Sequence, residues 1–117
     1  MNQYFHQQHL FPRSTVVVEI PHQIQLTNLL PQDSDKLLML YTGLALVHPN
    51  DRFIKAEGRK VADSKLKPQT FRLKSVEYDQ FDLVIKLVTI SPEEERIKEL
   101  TFRVFSNRVY LIGARIR

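Results

Sequence analysis

The sequence has no cysteine and no tryptophan, and only three of its 117 residues are glycine. The lack of cysteine excludes a disulfide framework, a thiolate nucleophile and a zinc site built on cysteine. Three widely spaced glycines cannot form a glycine-rich phosphate loop or a dinucleotide fingerprint, so we expect no cofactor. Apolar runs such as Leu44–Val47 are far too short to span a bilayer. No signal-peptide pattern occurs at the start, and we therefore expect a cytoplasmic protein.

The composition is that of a globular protein, with 43% hydrophobic and 26% charged residues. This apolar content excludes a disordered chain. The length predicts a single domain over residues 1–117. Residues 1–13 mix glutamine, histidine and aromatic residues without a clear period, and we expect them to form a loosely ordered arm.

Hydrophobic periodicity predicts an α+β fold, in which one principal helix packs on a mostly antiparallel sheet. After Pro68 the period changes to two, which is typical of strands with one buried face. A helix over residues 38–47 is the rival to a strand there, but Gly43 and Pro49 count against it. Residues 22–31 fit a loop or a short helical turn. Strands are predicted at 15–20, 38–47, 70–78, 82–90, 97–105 and 108–115.

The principal helix is predicted at about residues 51–66. Asn50 and Asp51 offer an N-cap, and Pro68 follows the end. Hairpin turns are predicted at Asp79-Gln80 and Ser106-Asn107. The segment 91–94 reads as a capping box, which predicts one helical turn or a full helix through residue 100.

Positive charge is concentrated in one segment of the chain. The protein carries a formal charge of +4, and residues 52–74 hold eight basic and two acidic side chains. Such a patch attracts phosphate backbones, nucleotides or an acidic protein face, although a solvated helix face has the same composition. The predicted anion-binding residues are Arg52, Lys55, Arg59, Lys60, Lys65, Lys67, Arg72 and Lys74.

Catalytic and metal-binding patterns are weak. His48 and Asp51 form the one pair with the residue types of a general base and its partner, but Pro49 and the predicted helix cap explain both without catalysis. His6 and His9 have no carboxylate at a helical spacing, so we interpret them as surface histidines. We predict no catalytic residue and no metal site.

The segment from Leu44 to Ala62 contains an apolar strand, a His48-Pro49-x-Asp51-x-Phe53 turn, a lysine two residues on, and a Gly58-Arg59 pair. This pattern resembles small accessory proteins of bacteriophages and mobile elements. The resemblance implies a protein that acts on host machinery or host defence. From the residues alone, we expect Phe53 to lie under the helix start and Gly58 to allow close helix–sheet contact.

Together these features predict a non-enzymatic module that binds nucleic acid or a nucleotide. The alternative is a protein–protein inhibitor of a host defence system. It would act through the basic stripe that Arg52, Lys55 and Arg59 form on one side of the predicted helix, or through an edge strand at 108–112. Apolar residues on both faces of the strand at 82–90 also predict a homodimer, unless residues 1–31 cover the second face.

Overall fold

The computed structural model describes residues 2–117, and its main feature is a seven-stranded antiparallel sheet in which every strand neighbours the next along the chain. One helix and two short 3₁₀ turns, Leu26–Asn28 and Pro31–Asp33, complete the fold. The prediction of an antiparallel sheet with one helix is confirmed, but the sheet dominates more than expected. The elements are β1 (Asn2–Gln7), β2 (Ser14–Glu19), β3 (Leu37–Leu46), α1 (Lys55–Ser64), β4 (Lys67–Asp79), β5 (Asp82–Thr89), β6 (Ile97–Phe105) and β7 (Arg108–Ile116).

The first strand was not expected, because residues 1–13 were predicted to form a loose arm. Asn2–Gln7 instead pairs along its whole length with β2, and Phe5 lies opposite Val16. The other two β1 residues on the same face as Phe5 are Gln3 and Gln7, so the sequence of this strand shows no apolar alternation. The pairing and the sheet interior override this weak local signal.

The helix is shorter than the predicted 51–66. It begins at Lys55, ends at Ser64, and has Ile54 at its N-cap position with no side-chain cap. Residues 48–51 form a separate turn, in which the amide of Asp51 donates to the carbonyl of His48 (2.9 Å). The expected capping role of Asp51 is therefore wrong.

Arg13 holds this turn in place from the neighbouring strand connection. Its Nη2 atom donates to three main-chain carbonyls of the turn, which lies outside helix and sheet. The guanidinium group thus fixes the conformation of the turn. The acceptors are the carbonyls of His48 (3.2 Å), Pro49 (3.1 Å) and Asp51 (2.8 Å).

The core lies on the inner face of the curled sheet, where alternate residues of successive strands meet. Phe71 and Phe102 are its largest fully buried side chains. The turn at 26–28 adds Leu26 and Leu29 to the same cluster, so residues 22–31 cover part of the interior. Other members include Val16, Val18, Leu38, Leu40, Leu73, Ile85, Leu87 and Leu100.

The sheet curls far enough for β1 to lie beside β7. Here the side chain of Gln3 bridges the two strands. Its Oε1 accepts from the amide of Leu111 (2.6 Å), and its Nε2 donates to the carbonyl of Val109. A side-chain amide thus satisfies main-chain groups at the sheet edge.

The helix packs on the outer face of β2 and β3 through its smallest residues, Gly58 and Ala62. A Cβ atom at Gly58 would collide with the hydroxyl of Thr15, and one at Gly43 would collide with the main-chain carbonyl of Ala62. The prediction that Gly58 allows close helix–sheet contact is confirmed. Among residues 2–117, no helix has the length and apolarity needed to cross a membrane.

The connections between the last four strands are short. Ser106 and Asn107 both have positive φ (51° and 60°), as the predicted tight hairpin requires. Gln80, at the preceding hairpin, has φ 57°. The segment after β5 forms one hydrogen-bonded turn closed by the carbonyl of Ser91, and the alternative of a full helix is wrong.

Candidate functional site

The eight predicted anion-binding residues are all exposed, but they belong to different parts of the surface. Arg52 lies in the turn before α1. Three members lie on α1 itself, Lys65 follows its end, and the remaining three lie on β4. The sequence predicted that Arg52 shares one helical stripe with Lys55 and Arg59, but the helix begins only at Lys55, three residues after Arg52.

The three cations on β4 have carboxylate partners. These exposed ion pairs reduce the positive potential of the strand without contributing much to stability. Their charges are therefore less available to a ligand than those of the helix. The pairs are Lys67 with Glu95 (2.8 Å), Arg72 with Asp35 (2.8 Å) and Lys74 with Glu99 (3.8 Å).

The cations around the helix have no such partners. Within residues 2–117, none of them takes part in a salt bridge. Lys55 and Arg59 are four residues apart and therefore lie on one side of the helix. Uncompensated positive charge thus follows this side of the helix. The unpaired set is Arg52, Lys55, Arg59, Lys60 and Lys65.

Asp63 lies one turn further along the same side of the helix, and side chains of β1 donate hydrogen bonds to its carboxylate. The hydroxyl of Tyr4 donates to both carboxylate oxygens (2.9 and 2.8 Å), and Asn2 donates to Oδ1 (3.2 Å). The hydrogen bond to Asp63, followed by burial, raises the pKa of Tyr4. These contacts show that this side of α1 faces β1.

His6 lies on the same face of β1 as Tyr4, and its half-buried ring contradicts the interpretation as a surface histidine. Its Nδ1 atom lies 2.8 Å from Oγ1 of Thr15. The ring of Tyr4 is parallel to it at a centroid distance of 6.5 Å, and Phe53 approaches it edge-on at 5.8 Å. Phe53, which was expected to lie under the helix start, thus contacts His6 of β1. No sequence pattern marked His6 as a site residue, because β1 itself was missed.

The motif that resembles phage accessory proteins borders a groove of about 450 Å³, which lies between the 48–51 turn and α1. His48 accepts a hydrogen bond at Nδ1 from the amide of Asn50 (3.2 Å), and within residues 2–117 the carboxylate of Asp51 makes no hydrogen bond. The two side chains are therefore not arranged as a base and its orienting partner. Glu57 and the apolar Ile54 and Val61 complete the lining.

A cavity of about 520 Å³ opens at one end of the curled sheet. Lys65, Lys67 and Arg96 contribute to its lining, as does the buried amide of Gln69. That amide accepts from the hydroxyl of Thr42 (2.7 Å) and donates to Thr89 (3.2 Å) and to the carbonyl of Ile97 (2.9 Å). Both donor hydrogens of this amide and one acceptor site are used within the protein, so it serves the fold rather than a ligand.

A second basic groove, of about 640 Å³, contains Arg72 together with Lys98, Arg115 and Arg117. The last three were not predicted as site residues, because the segments that carry them are separated from Arg72 along the chain and meet it only in the folded sheet. Glu99 lies 3.5 Å from Arg115 and Asp35 pairs with Arg72, which lowers the positive potential of this groove. In the described part of the chain, no group of three potential metal ligands occurs.

Comparison with known proteins gives no match to this chain among family models, curated proteins or solved structures. The resemblance to phage accessory proteins therefore stays a prediction that rests on about residues 39–66 alone.

Proposed function

We propose that the protein is a non-enzymatic binding module for nucleic acid or a nucleotide, and that the helix side carrying Lys55 and Arg59 forms the main contact. What supports this proposal is the absence of carboxylate partners for these two cations within residues 2–117, although the cations of β4 are paired. Phosphate groups supply the missing negative charge, and the arginine fork is suited to two phosphate oxygens.

Salt dependence tests the proposal directly. A phosphate backbone releases bound counterions when cations contact it, so the logarithm of affinity falls linearly with the logarithm of salt. Three to four contacts to a single strand give a slope of about −2 to −3, and affinity then falls roughly 30-fold between about 50 and about 200 mM salt. Fluorescence anisotropy with a labelled oligothymidylate measures this slope. A parallel titration with a nucleoside monophosphate shows whether the ligand is a nucleotide rather than nucleic acid.

A pair of charge-reversal variants separates a local contact from net charge. Lys55→Glu with Arg59→Glu and Lys36→Glu with Arg108→Glu both lower the formal charge from +4 to 0. We expect the first variant to lose binding and the second to retain most of it. If neither nucleic acid nor nucleotide binds the wild-type protein at low salt, or if both variants lose binding equally, the proposal is wrong.

A second candidate function is inhibition of a host defence protein. The observation that favours it is a set of exposed aromatic residues at neighbouring hairpins, where Tyr78, Phe81 and Phe105 are 66%, 95% and 51% exposed. Phe81 and Phe105 also border one shared groove. Exposed apolar groups of this size are typical of protein contact sites.

Phage plating on a host that carries a defence system distinguishes the two functions. If the protein is an inhibitor, its expression restores plating, and Phe81→Ser with Phe105→Ser abolishes this effect while the Lys55 and Arg59 variant retains it. If plating never recovers, this second function is not supported. A phage or mobile-element origin and a cytoplasmic location belong to both proposals.

The homodimer stays a prediction. On the outer face of β5, Val84 and Val88 are half-buried and Ile90, just beyond the strand, is 49% exposed. A second copy of the chain would cover this surface. Light scattering gives a mass near 13.8 kDa for a monomer and near twice that value for the dimer.

A further inference from the structure

The position of His6 next to the basic side of α1 follows from two separate sets of contacts. At one end, Asp63 of the helix is hydrogen-bonded to Tyr4, two residues before His6 on the same face of β1. In the middle, Thr15 contacts both the ring of His6 and the backbone of α1 at Gly58. The side of the helix that begins at Asp63 and continues through Arg59 and Lys55 therefore runs along β1 towards His6.

The imidazole ring is held in one orientation. Tyr4 and Phe53 pack against it, and Nδ1 is engaged by the buried hydroxyl of Thr15. Within residues 2–117, the second ring nitrogen, Nε2, has no hydrogen-bond partner. A fixed ring with one free nitrogen is suited to donate to a ligand atom, since little rotamer entropy is lost on binding.

The charges that face His6 are positive. Lys55 and Arg59 face it from α1, whereas Thr15 of β2 and Phe53 of the preceding turn bring no charge. Asp63, the nearest carboxylate on this helix side, is engaged by Tyr4 and Asn2. Burial, followed by Lys55 and Arg59, lowers the pKa of His6, so the ring is neutral in the free protein at neutral pH.

We infer that Nε2 of His6, the ammonium of Lys55 and the guanidinium of Arg59 bind one phosphate group together, and that His6 takes up a proton when the phosphate binds. This inference rests on the proposed function. The negative charge of the phosphate reverses the local field and favours the imidazolium, which then donates a charge-assisted hydrogen bond. Because one proton enters with the ligand, affinity rises as the pH falls through the interval between the free and the bound pKa of His6.

The test uses a phosphodiester probe, whose charge does not change in this pH range. Anisotropy with an oligothymidylate of about 12 nucleotides is measured from about pH 7.5 to about pH 5.5 at constant salt. We expect affinity to rise by up to tenfold per pH unit for one linked proton. His6→Gln retains a polar group for Thr15 and removes this slope, whereas His9→Gln, which changes an exposed histidine, leaves it intact.

Proton NMR of the wild-type protein gives a second readout that needs no variant. The pKa read from the imidazole signal of His6 is expected to lie below 6.5 in the free protein. With the probe bound, this pKa is expected to rise above its value in the free protein. Inorganic phosphate and a nucleoside monophosphate, titrated in the same way, distinguish a nucleotide site from a backbone site. The melting curve of His6→Gln shows whether that variant is folded.

The outcomes distinguish the two proposals. If the wild-type protein binds no probe at any pH, the proposed function fails and the proton-linked site fails with it. The other outcome is that the wild-type protein binds the probe, the pKa of His6 does not change on binding, and affinity depends on pH equally in His6→Gln and wild type. In that case the anion-binding function stands and the role of His6 is refuted.

Discussion

Replacing Gly43 with alanine tests whether the helix is seated on the sheet as closely as the structure requires. The new Cβ atom would lie far inside van der Waals contact with the carbonyl oxygen of Ala62, and 3.0 Å from Cγ1 of Val17. A main-chain oxygen cannot rotate away as a side chain can, so α1 must withdraw by roughly 1 Å before the contact becomes an ordinary one.

The expected loss of stability follows from two opposing effects. Alanine is better than glycine inside a strand by roughly 0.5–1 kcal/mol, whereas overpacking of a buried contact costs about 1–3 kcal/mol. Since the obstacle here is backbone, we take the upper part of the second range, and the net destabilisation is about 2 kcal/mol. For a chain of 117 residues this lowers the melting temperature by roughly 8 °C.

Gly113→Ala is the matched control for this experiment. A Cβ atom there would meet Thr101 at 3.6 Å, an ordinary contact distance. We expect Gly113→Ala to melt at the wild-type temperature or up to about 4 °C higher. Thermal unfolding followed by far-ultraviolet circular dichroism measures both variants. If Gly43→Ala melts with the wild type, or if Gly113→Ala falls as far as Gly43→Ala, the close helix–sheet contact is not as described.

Three further predictions concern the hairpin, the buried amide and pH. Replacing Ser106-Asn107 with Asn-Gly should stabilise the protein by roughly 0.5–1 kcal/mol in urea unfolding, because both positions have positive φ; a loss would contradict the turn geometry. Gln69→Leu leaves two hydroxyls and a carbonyl without their buried partner, so the free energy of unfolding in urea should fall by about 2–3 kcal/mol. An unchanged urea midpoint would be evidence against this hydrogen-bond network. Because the pKa of His6 is lowered in the folded state, the unfolded chain binds that proton more tightly, and the free protein should lose stability as the pH falls through 6.5. Comparison of melting temperatures across this range with those of His6→Gln isolates the contribution, which should be absent from the variant.

The later strands could be predicted from the sequence, the helix only in part, and the first strand not at all. β3 and β5 to β7 begin and end within one residue of their predicted positions, and β4 extends the predicted strand at its start by three residues. The start of α1 was misplaced because Asp51 has the residue type of a cap, whereas a distant arginine, Arg13, supplies the hydrogen bonds that fix this turn. That interaction spans 35 to 38 residues of chain and leaves no local pattern.

The candidate site shows the same limit. The excess of basic residues could be read from the sequence, but the distinction between paired and unpaired cations depends on which strands meet. Glu95 and Glu99 neutralise Lys67 and Lys74 from distant positions in the chain. His6 joins the basic helix side only because β1 pairs with β2 and brings its polar face under α1.

The bridge made by Gln3 has a consequence for how the molecule opens. Six successive antiparallel pairings make β1 and β7 run in the same direction, and within residues 2–117 no main-chain ladder joins them. This boundary is therefore the part of the sheet with the least hydrogen-bond protection, and local separation there moves β1 away from β7. Since β1 also carries Tyr4 and His6, a phosphate ligand bound at the helix and His6 as we propose would disfavour that separation. Ligand binding should then slow amide exchange at Leu111, on a strand that the ligand does not touch.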